Sequence, residues 1–359
     1  RADPARGGGA IGPSATRPHP VPRRPSVLGP ALVRMFRPLL LLAGVAFIAY
    51  LVYEVGPATV WDSVRTLSWR LLLVLCFPYT LTTTLDTLAW RCAFRGRGLP
   101  FWKLWGARLA GEAVNATTPT ASVGGEPVKA YLMRPWASLQ DGLASVIVDK
   151  TTIVVGQGLF LVLGLLVATT RMPVSNPVMT AMLVLLAVEA AAVGGFVFVQ
   201  LQGAAGRGGR LLGRFGMGPG ERGQERLDGL DRALAIFYRH HRRRLLAGIL
   251  LHFMAWTVGS LEIYLVLSFL GLPVSLPTAV AIEAFGTAIK FASFMIPASL
   301  GALEGGNVAI FAAFGLGGAA GLSYTLIRRL REAAWLVVGL AAMALLSARP
   351  APGVERSET

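Results

Sequence analysis

Charge is what this chain has least of. Charged residues make up 15% of its 359 positions and hydrophobic ones 54%, and mean hydropathy is +0.58. An ordinary soluble domain carries about 25% charged residues, so this composition excludes a soluble globular protein and implies a polytopic membrane protein. Cysteine is scarcer still: Cys76 and Cys92 lie in or beside one apolar segment, with no CxxC pair and no His/Cys cluster. Neither a disulfide framework nor a zinc site fits that usage. Of four histidines, His19, His240 and His241 stand in polar stretches. His252 stands alone inside an apolar run and reads as a packing residue. No metal-ligand set is visible, and no Walker sequence occurs, so neither metal nor nucleotide cofactor is expected.

What the chain does have is arginine. Net charge is +15, and 30 of the 34 basic residues are arginines, leaving only Lys103, Lys129, Lys150 and Lys290. Each lysine falls in or beside an apolar or motif segment, where a compact ammonium differs from a guanidinium. The arginines cluster between apolar runs, which is a topology signal and an attraction for anionic headgroups rather than a nucleic-acid surface. Seven precede the first apolar run, Arg91, Arg95 and Arg97 with Lys103 follow the second, and ten lie between 207 and 244. Loops 171–176 and 271–276 carry only Arg171. The alternation places the N-terminus, 91–103 and 202–244 in the cytoplasm of a cell whose inner membrane holds the rest. Arg328, Arg329 and Arg331 favour the cytoplasm too, which conflicts with a strictly inverted second half.

The fold class implied is all-α, a polytopic membrane bundle of about seven to eight spans in two pseudo-repeats. Residues 1–37 form a basic, disordered tail rich in Pro and Gly. The start at Arg1 points to a processed or truncated chain, and the first apolar run, from Pro38, has no cleavage pattern after it. A span needs about 20 apolar residues. Spans are predicted at 38–56, 71–90, 143–170, 177–201, 245–270 and 277–296, with a last one near 332–348 and an alternative eighth near 306–327. The membrane domain thus runs 38–348, with a first half 38–201, a basic cytoplasmic loop 202–244 and a second half 245–348, before a tail at 349–359. Segments 101–135 and 297–318 are apolar but broken by Pro and Gly, and read as re-entrant. In the long loop, Leu227, Leu230, Leu234, Phe237 and Tyr238 share one helical face, which suits either the membrane interface or the cytoplasmic end of the bundle.

The two broken segments carry the candidate chemistry. The first runs from Asn115 through Pro119 to Gly124, Gly125, Glu126 and Lys129; the second from Pro297 through Gly301 to Glu304 and Asn307. In both, a glutamate follows a proline by seven residues with glycine between, and a polar residue follows three later. Broken backbone at membrane depth is tolerated only where protein or a wet cavity satisfies it, and two such breaks in matching positions point to a substrate site. Proline cannot continue the helix, Thr117 and Thr118 can bond the freed carbonyls, and Glu126 opens a helix whose positive end favours a carboxylate. Asp149 and Lys150 sit side by side within a span, about 100° apart on the helix, and so need different partners. Asp149 is expected to pair with Lys129 or Arg134, and Lys150 with Glu126 or Glu304. Lys290 and Glu112 lie at matched distances before their prolines; Asp86, Glu189, Glu262 and Glu283 are further ionisable groups in apolar runs.

With Asn115, Pro119, Gly124-Gly125-Glu126, Lys129, Asp149-Lys150 and Pro297, Gly301, Glu304 in view, residues 38–348 resemble a flippase-like integral membrane family. Its relatives include the transmembrane domain of lysylphosphatidylglycerol synthase and members associated with hopanoid biosynthesis. The resemblance implies binding or translocation of lipid in the bacterial inner membrane. Two departures stand out: a lysine follows Asp149 where arginine would be as familiar, and no counterpart of the synthase's cytosolic aminoacyl-transferase domain is seen, so that activity is not implied.

Three functions are therefore weighed. The first is a lipid flippase or lipid-binding transporter for a phospholipid, glycolipid or hopanoid, with the eleven motif residues lining a charged cavity. The second is an accessory subunit that presents lipid to a separate biosynthetic enzyme docked on 225–243. The third is an intramembrane transferase, for which no nucleophile–base set is visible. Oligomeric state is not readable.

Overall fold

The computed structural model describes residues 69–94, 98–118, 124–214, 220–272, 274–294 and 301–348, together with 96, 296 and 299. All lie within the larger of two compact units, Leu40–Thr359. The expected tail 1–37 and span 38–56, and both motif prolines, Pro119 and Pro297, fall outside the described residues. The described chain is helical throughout, without strands. In order it runs α1 Trp69–Ala93, α2 Phe101–Thr117, α3 Gly125–Leu132, α4 Leu139–Ala168, α5 Pro177–Leu201, α6 Ala204–Arg214, α7 Gly220–His240, α8 Arg242–Phe269, α9 Leu276–Ala292, α10 Ala302–Ala313 and α11 Gly318–Ser347.

Local sequence accounts for the helix starts. Ser138, Asn176 and Ser275 cap α4, α5 and α9, each accepting a backbone N–H from the first turn, and Pro177 and Pro277 occupy positions where a missing N–H costs nothing. Five helices are long and apolar enough to cross a membrane: α1, α4, α5, α8 and α11. Three expected spans change accordingly. The segment expected at 277–296 is α9, only 17 residues long, short of the length a bilayer needs. The last span begins at Gly318 rather than 332, as one 30-residue helix. No span covers 306–327, because Gly315 and Gly317, both with φ near +80°, part α10 from α11 there.

α1 packs most extensively on α8, α2 on α11 and α4 on α9. The contacts rest on small residues: a side chain on Gly339 of α11 would meet the Leu109 carbonyl of α2, and one on Gly164 of α4 would meet Ala284 of α9. Close backbone approach of this kind holds helices together where lipid supplies no hydrophobic drive. α5 is the most exposed of the long helices, with Val184, Val188, Phe196 and Phe198 all outward.

The 202–244 loop folds onto the bundle. Leu234 and Phe237 of α7 are buried in a core with Trp90, Phe94, Ala144 and Val148. The Tyr238 hydroxyl donates to Gln200 Oε1 at 2.5 Å and meets Thr151 Oγ1 at 3.0 Å, and burial pushes its phenol pKa up. Asp231 accepts the Ala205 and Gly206 amides at the start of α6. Of the two expected roles for this amphipathic helix, packing on the bundle is the one observed.

Candidate functional site

Side chains and close backbone contacts tie together the two helices that flank the first break. α2 and α3 approach so tightly that a side chain on Gly125 would run into the Gly111 carbonyl. The Gly125 amide donates to Asn115 Oδ1 at 2.7 Å, and Asn115 Nδ2 donates to Glu126 Oε1 at 3.4 Å. Thr117 and Thr118 hydroxyls bond the Ala113 and Val114 carbonyls at the end of α2. The backbone groups at the two helix ends flanking the break thus find partners within the protein. Glu126, 7% exposed in the first turn of α3, meets Lys129 Nζ at 3.2 Å and Lys150 Nζ at 2.8 Å. The expected Lys150–Glu126 pair is present.

The second break has its own partners. Gly301, at φ +78°, donates its amide to Glu304 Oε2 at 2.6 Å. Glu304 Oε1 also lies 2.8 Å from Arg329 Nη2, and Asn307 donates to Thr325 at 2.8 Å. Glu304 and Asn307 face α11, and each motif glutamate is held by a cation of its own half.

Those two cations occupy equivalent places. Lys150 stands eleven residues after the start of α4 and Arg329 eleven after the start of α11, both 30-residue helices. Each binds the motif glutamate of its half at 2.8 Å. One position earlier, Asp149 meets Arg108 of α2 at 3.3 Å and Arg328 meets Glu283 of α9 at 2.8 Å. Arg108 and Glu283 each stand seven residues into 17-residue helices. The same bridge recurs with its signs exchanged.

Asp149 does not take the partners expected of it. Lys129 is drawn to Glu126, one helical turn earlier on α3, and the Arg134 guanidinium stacks on Tyr131. Asp149 instead accepts from Arg108 and from His252 Nε2, 3.0 Å away. His252 Nδ1 meets Asp86 Oδ1 at 2.7 Å, so this histidine is not the packing residue expected. Arg108 further reaches Asp86 at 3.2 Å and Glu112 at 3.0 Å. In the other half, Arg331 binds Glu262 at 2.8 Å, and Glu332 meets Arg329 at 2.9 Å and Lys290 at 3.7 Å. Arg328, Arg329 and Arg331 are therefore not a cytoplasmic topology signal; all are under 9% exposed and held by carboxylates inside the bundle.

Two adjoining cavities lie between these clusters, each of about 280 Å³. One is lined by charge from both halves: Asp86, Arg108, Glu112, Lys129 and Lys150 on one side, Glu262, Glu283, Lys290, Arg328 and Arg331 on the other. The second is mainly apolar, walled by Leu109, Ala113, Ala116, Phe294, Ile296, Trp335 and Leu336. Tyr79, Glu112, Asn115 and Lys290 line both. Of the expected site residues, Asn115, Lys129 and Lys150 line the charged cavity. Glu126 and Asp149 stand one ion pair behind its wall, Glu304 is held by Arg329, which does not line it, and Gly124, Gly125 and Gly301 border the breaks. Sequence reasoning missed Arg108. An arginine seven residues into an apolar helix, one turn before Glu112, was the available signal.

Residues 29–341 match the family model described as the lysylphosphatidylglycerol synthase TM region. The chain belongs to that family. Like other members of the lysylphosphatidylglycerol synthase transmembrane-region family, it is a multi-pass membrane protein. A curated relative, the UPF0104 membrane protein of Methanothermobacter thermautotrophicus, is 24% identical over 323 residues, covering 86% of this chain and 94% of its own. No solved structure matches the chain.

Proposed function

We propose that this protein binds a polar-headed membrane lipid, a phospholipid, glycolipid or hopanoid, in the charged cavity and carries it between leaflets. The carrying observation is the adjoining pair of cavities, one ringed by charge from both halves and one with a long apolar wall beside Glu112, Lys290 and Glu332, which share four wall residues. A lipid is the ligand with that division: a headgroup needing polar partners, and an apolar body needing none. Six cationic side chains against four carboxylates line the charged cavity, which favours an anionic headgroup.

The recurrence of helix lengths and of the Glu126–Lys150 and Glu304–Arg329 bridges supports two pseudo-repeats, each with a re-entrant broken helix. With α5 as the one crossing between them, the second repeat is inverted in the membrane, and rocking of one against the other exposes the cavity alternately. Membrane lipids are then the partners, and the eleven motif residues position the headgroup directly or through the cations that touch it.

The test is exchange of a fluorescent phosphatidylglycerol between leaflets of vesicles holding the purified full chain. Glu126→Gln removes the charge that holds Lys129 and Lys150 at the wall, and exchange is expected to fall about tenfold or more. Full activity in that variant would remove the motif from the mechanism.

A further inference from the structure

His252 is completely buried, and both its ring nitrogens face carboxylate oxygens, Asp86 Oδ1 at 2.7 Å and Asp149 Oδ1 at 3.0 Å. Gly156 of α4 permits this approach, since a side chain there would meet His252 Cβ at 3.0 Å. A neutral imidazole has one N–H and one bare nitrogen. Between two ionised carboxylates it can serve only one, and the other contact would set lone pair against lone pair away from water. One extra proton, on the ring or on an aspartate, relieves this.

Arg108 does not substitute for that proton, because its single charge is already divided among Asp86, Asp149 and Glu112. Those three carboxylates and Arg108 sum to two negative charges without the proton and one with it. Other charges on the packed helices are engaged elsewhere: Lys129 and Lys150 with Glu126, Glu262 with Arg331, Glu283 with Arg328. α7 joins α8 at His241, about three turns before His252.

We propose that Asp86, His252 and Asp149 form a proton-binding site linked to the neighbouring cavity, so that an anionic lipid headgroup and a proton are bound and moved together. This rests on the lipid-transport reading. Asp86 lines the charged cavity and its side chain is 22% exposed, whereas that of Asp149 is 2% exposed, so exchange with water runs through Asp86. In the release step the Nδ1–H bond of the imidazolium breaks, its electron pair stays on Nδ1, and the proton forms an O–H bond on Asp86 Oδ1. Neutral His252 keeps its Nε2–H on Asp149, and Asp86 passes the proton to cavity water. Arg108 lines the same cavity. A headgroup phosphate that draws it away leaves Asp86 and Asp149 less compensated, and so strengthens their hold on the proton. By reciprocity the proton strengthens binding of the anion.

Two measurements on the full chain test this. In weakly buffered phosphatidylcholine nanodiscs, adding phosphatidylglycerol should draw about one proton per lipid bound, and ¹⁵N-histidine spectra should show His252 becoming doubly protonated. In vesicles, a pH gradient of one unit should bias phosphatidylglycerol distribution toward the alkaline side by about tenfold. His252→Gln, or His252→Asn should the first variant fold poorly, should still bind the lipid yet lose both proton uptake and the gradient response. Wild-type binding and exchange without proton uptake or gradient response would overturn the coupling and leave lipid transport standing. Absence of binding and exchange at every pH would overturn lipid transport, and the coupling with it.

Discussion

At the scale of single residues, the charges inside this bundle are sorted by whether they have partners. Glu189 of α5 is 1% exposed, and among the described residues neither carboxylate oxygen has a hydrogen-bond partner. Among them no cation or amide offsets its loss of water, so it costs stability. Replacing it with leucine is expected to raise stability by about 1–3 kcal/mol, read as a higher Tm in detergent. A fall would mean that Glu189 has a role this geometry does not contain. Arg331 illustrates the opposite case: it holds Glu262 and lies over the Tyr79 ring at 4.6 Å. Arg331→Leu leaves a buried carboxylate uncompensated and is expected to destabilise by about 3–5 kcal/mol. Replacing Glu262 by leucine as well should recover most of that loss in the same measurement. The presence of ionisable residues in apolar runs was plain from sequence. Their pairing was not, since Asp149 finds Arg108 and His252 from helices 41 and 103 residues away.

At the scale of elements, the breaks between α2 and α3 and between α9 and α10 were legible because glycine and proline interrupt apolar runs. How the first break is closed was not. Gly124 has an ordinary helical φ of −63°. The residue that needs to be glycine is Gly125, pressed on the Gly111 carbonyl across the hairpin. Gly125→Ala therefore pushes α3 off α2 and strains the Asn115 clamp. We expect a loss of about 1–3 kcal/mol, seen as a lower Tm, whereas Gly158→Ala, at a site with nothing within 4 Å, should be tolerated. Unchanged stability in Gly125→Ala would show that the hairpin is looser than drawn. The length of α9 also escaped the hydropathy pattern, because Phe294, Met295 and Ile296 extend the apolar run after the helix has ended at Ala292.

At the scale of the whole molecule, the inverted arrangement makes a topological prediction. With Cys76 and Cys92 replaced, cysteines at Arg232 and Ser347 should label with an impermeant maleimide from one side of the membrane, and cysteines at Val174 and Leu272 from the other. Labelling of Ser347→Cys together with Val174→Cys would break the inverted-repeat reading. The conflict posed by Arg328, Arg329 and Arg331 disappears at this scale. They belong to the interior of α11, bound to Glu283, Glu304 and Glu262, and so say nothing about which side the chain end occupies.

Composition and the spacing of apolar runs were sufficient to establish a helical membrane protein with two interrupted segments, because burial in lipid constrains every residue of a span independently. Which charge meets which was decided only when the helices packed. Ion pairing depends on distances of a few ångströms between residues far apart in the chain, and the small residues that allow α2 to meet α11 and α4 to meet α8 set those distances. The meeting of His252 with two aspartates, and of both halves around one charged cavity, exists only in that packing.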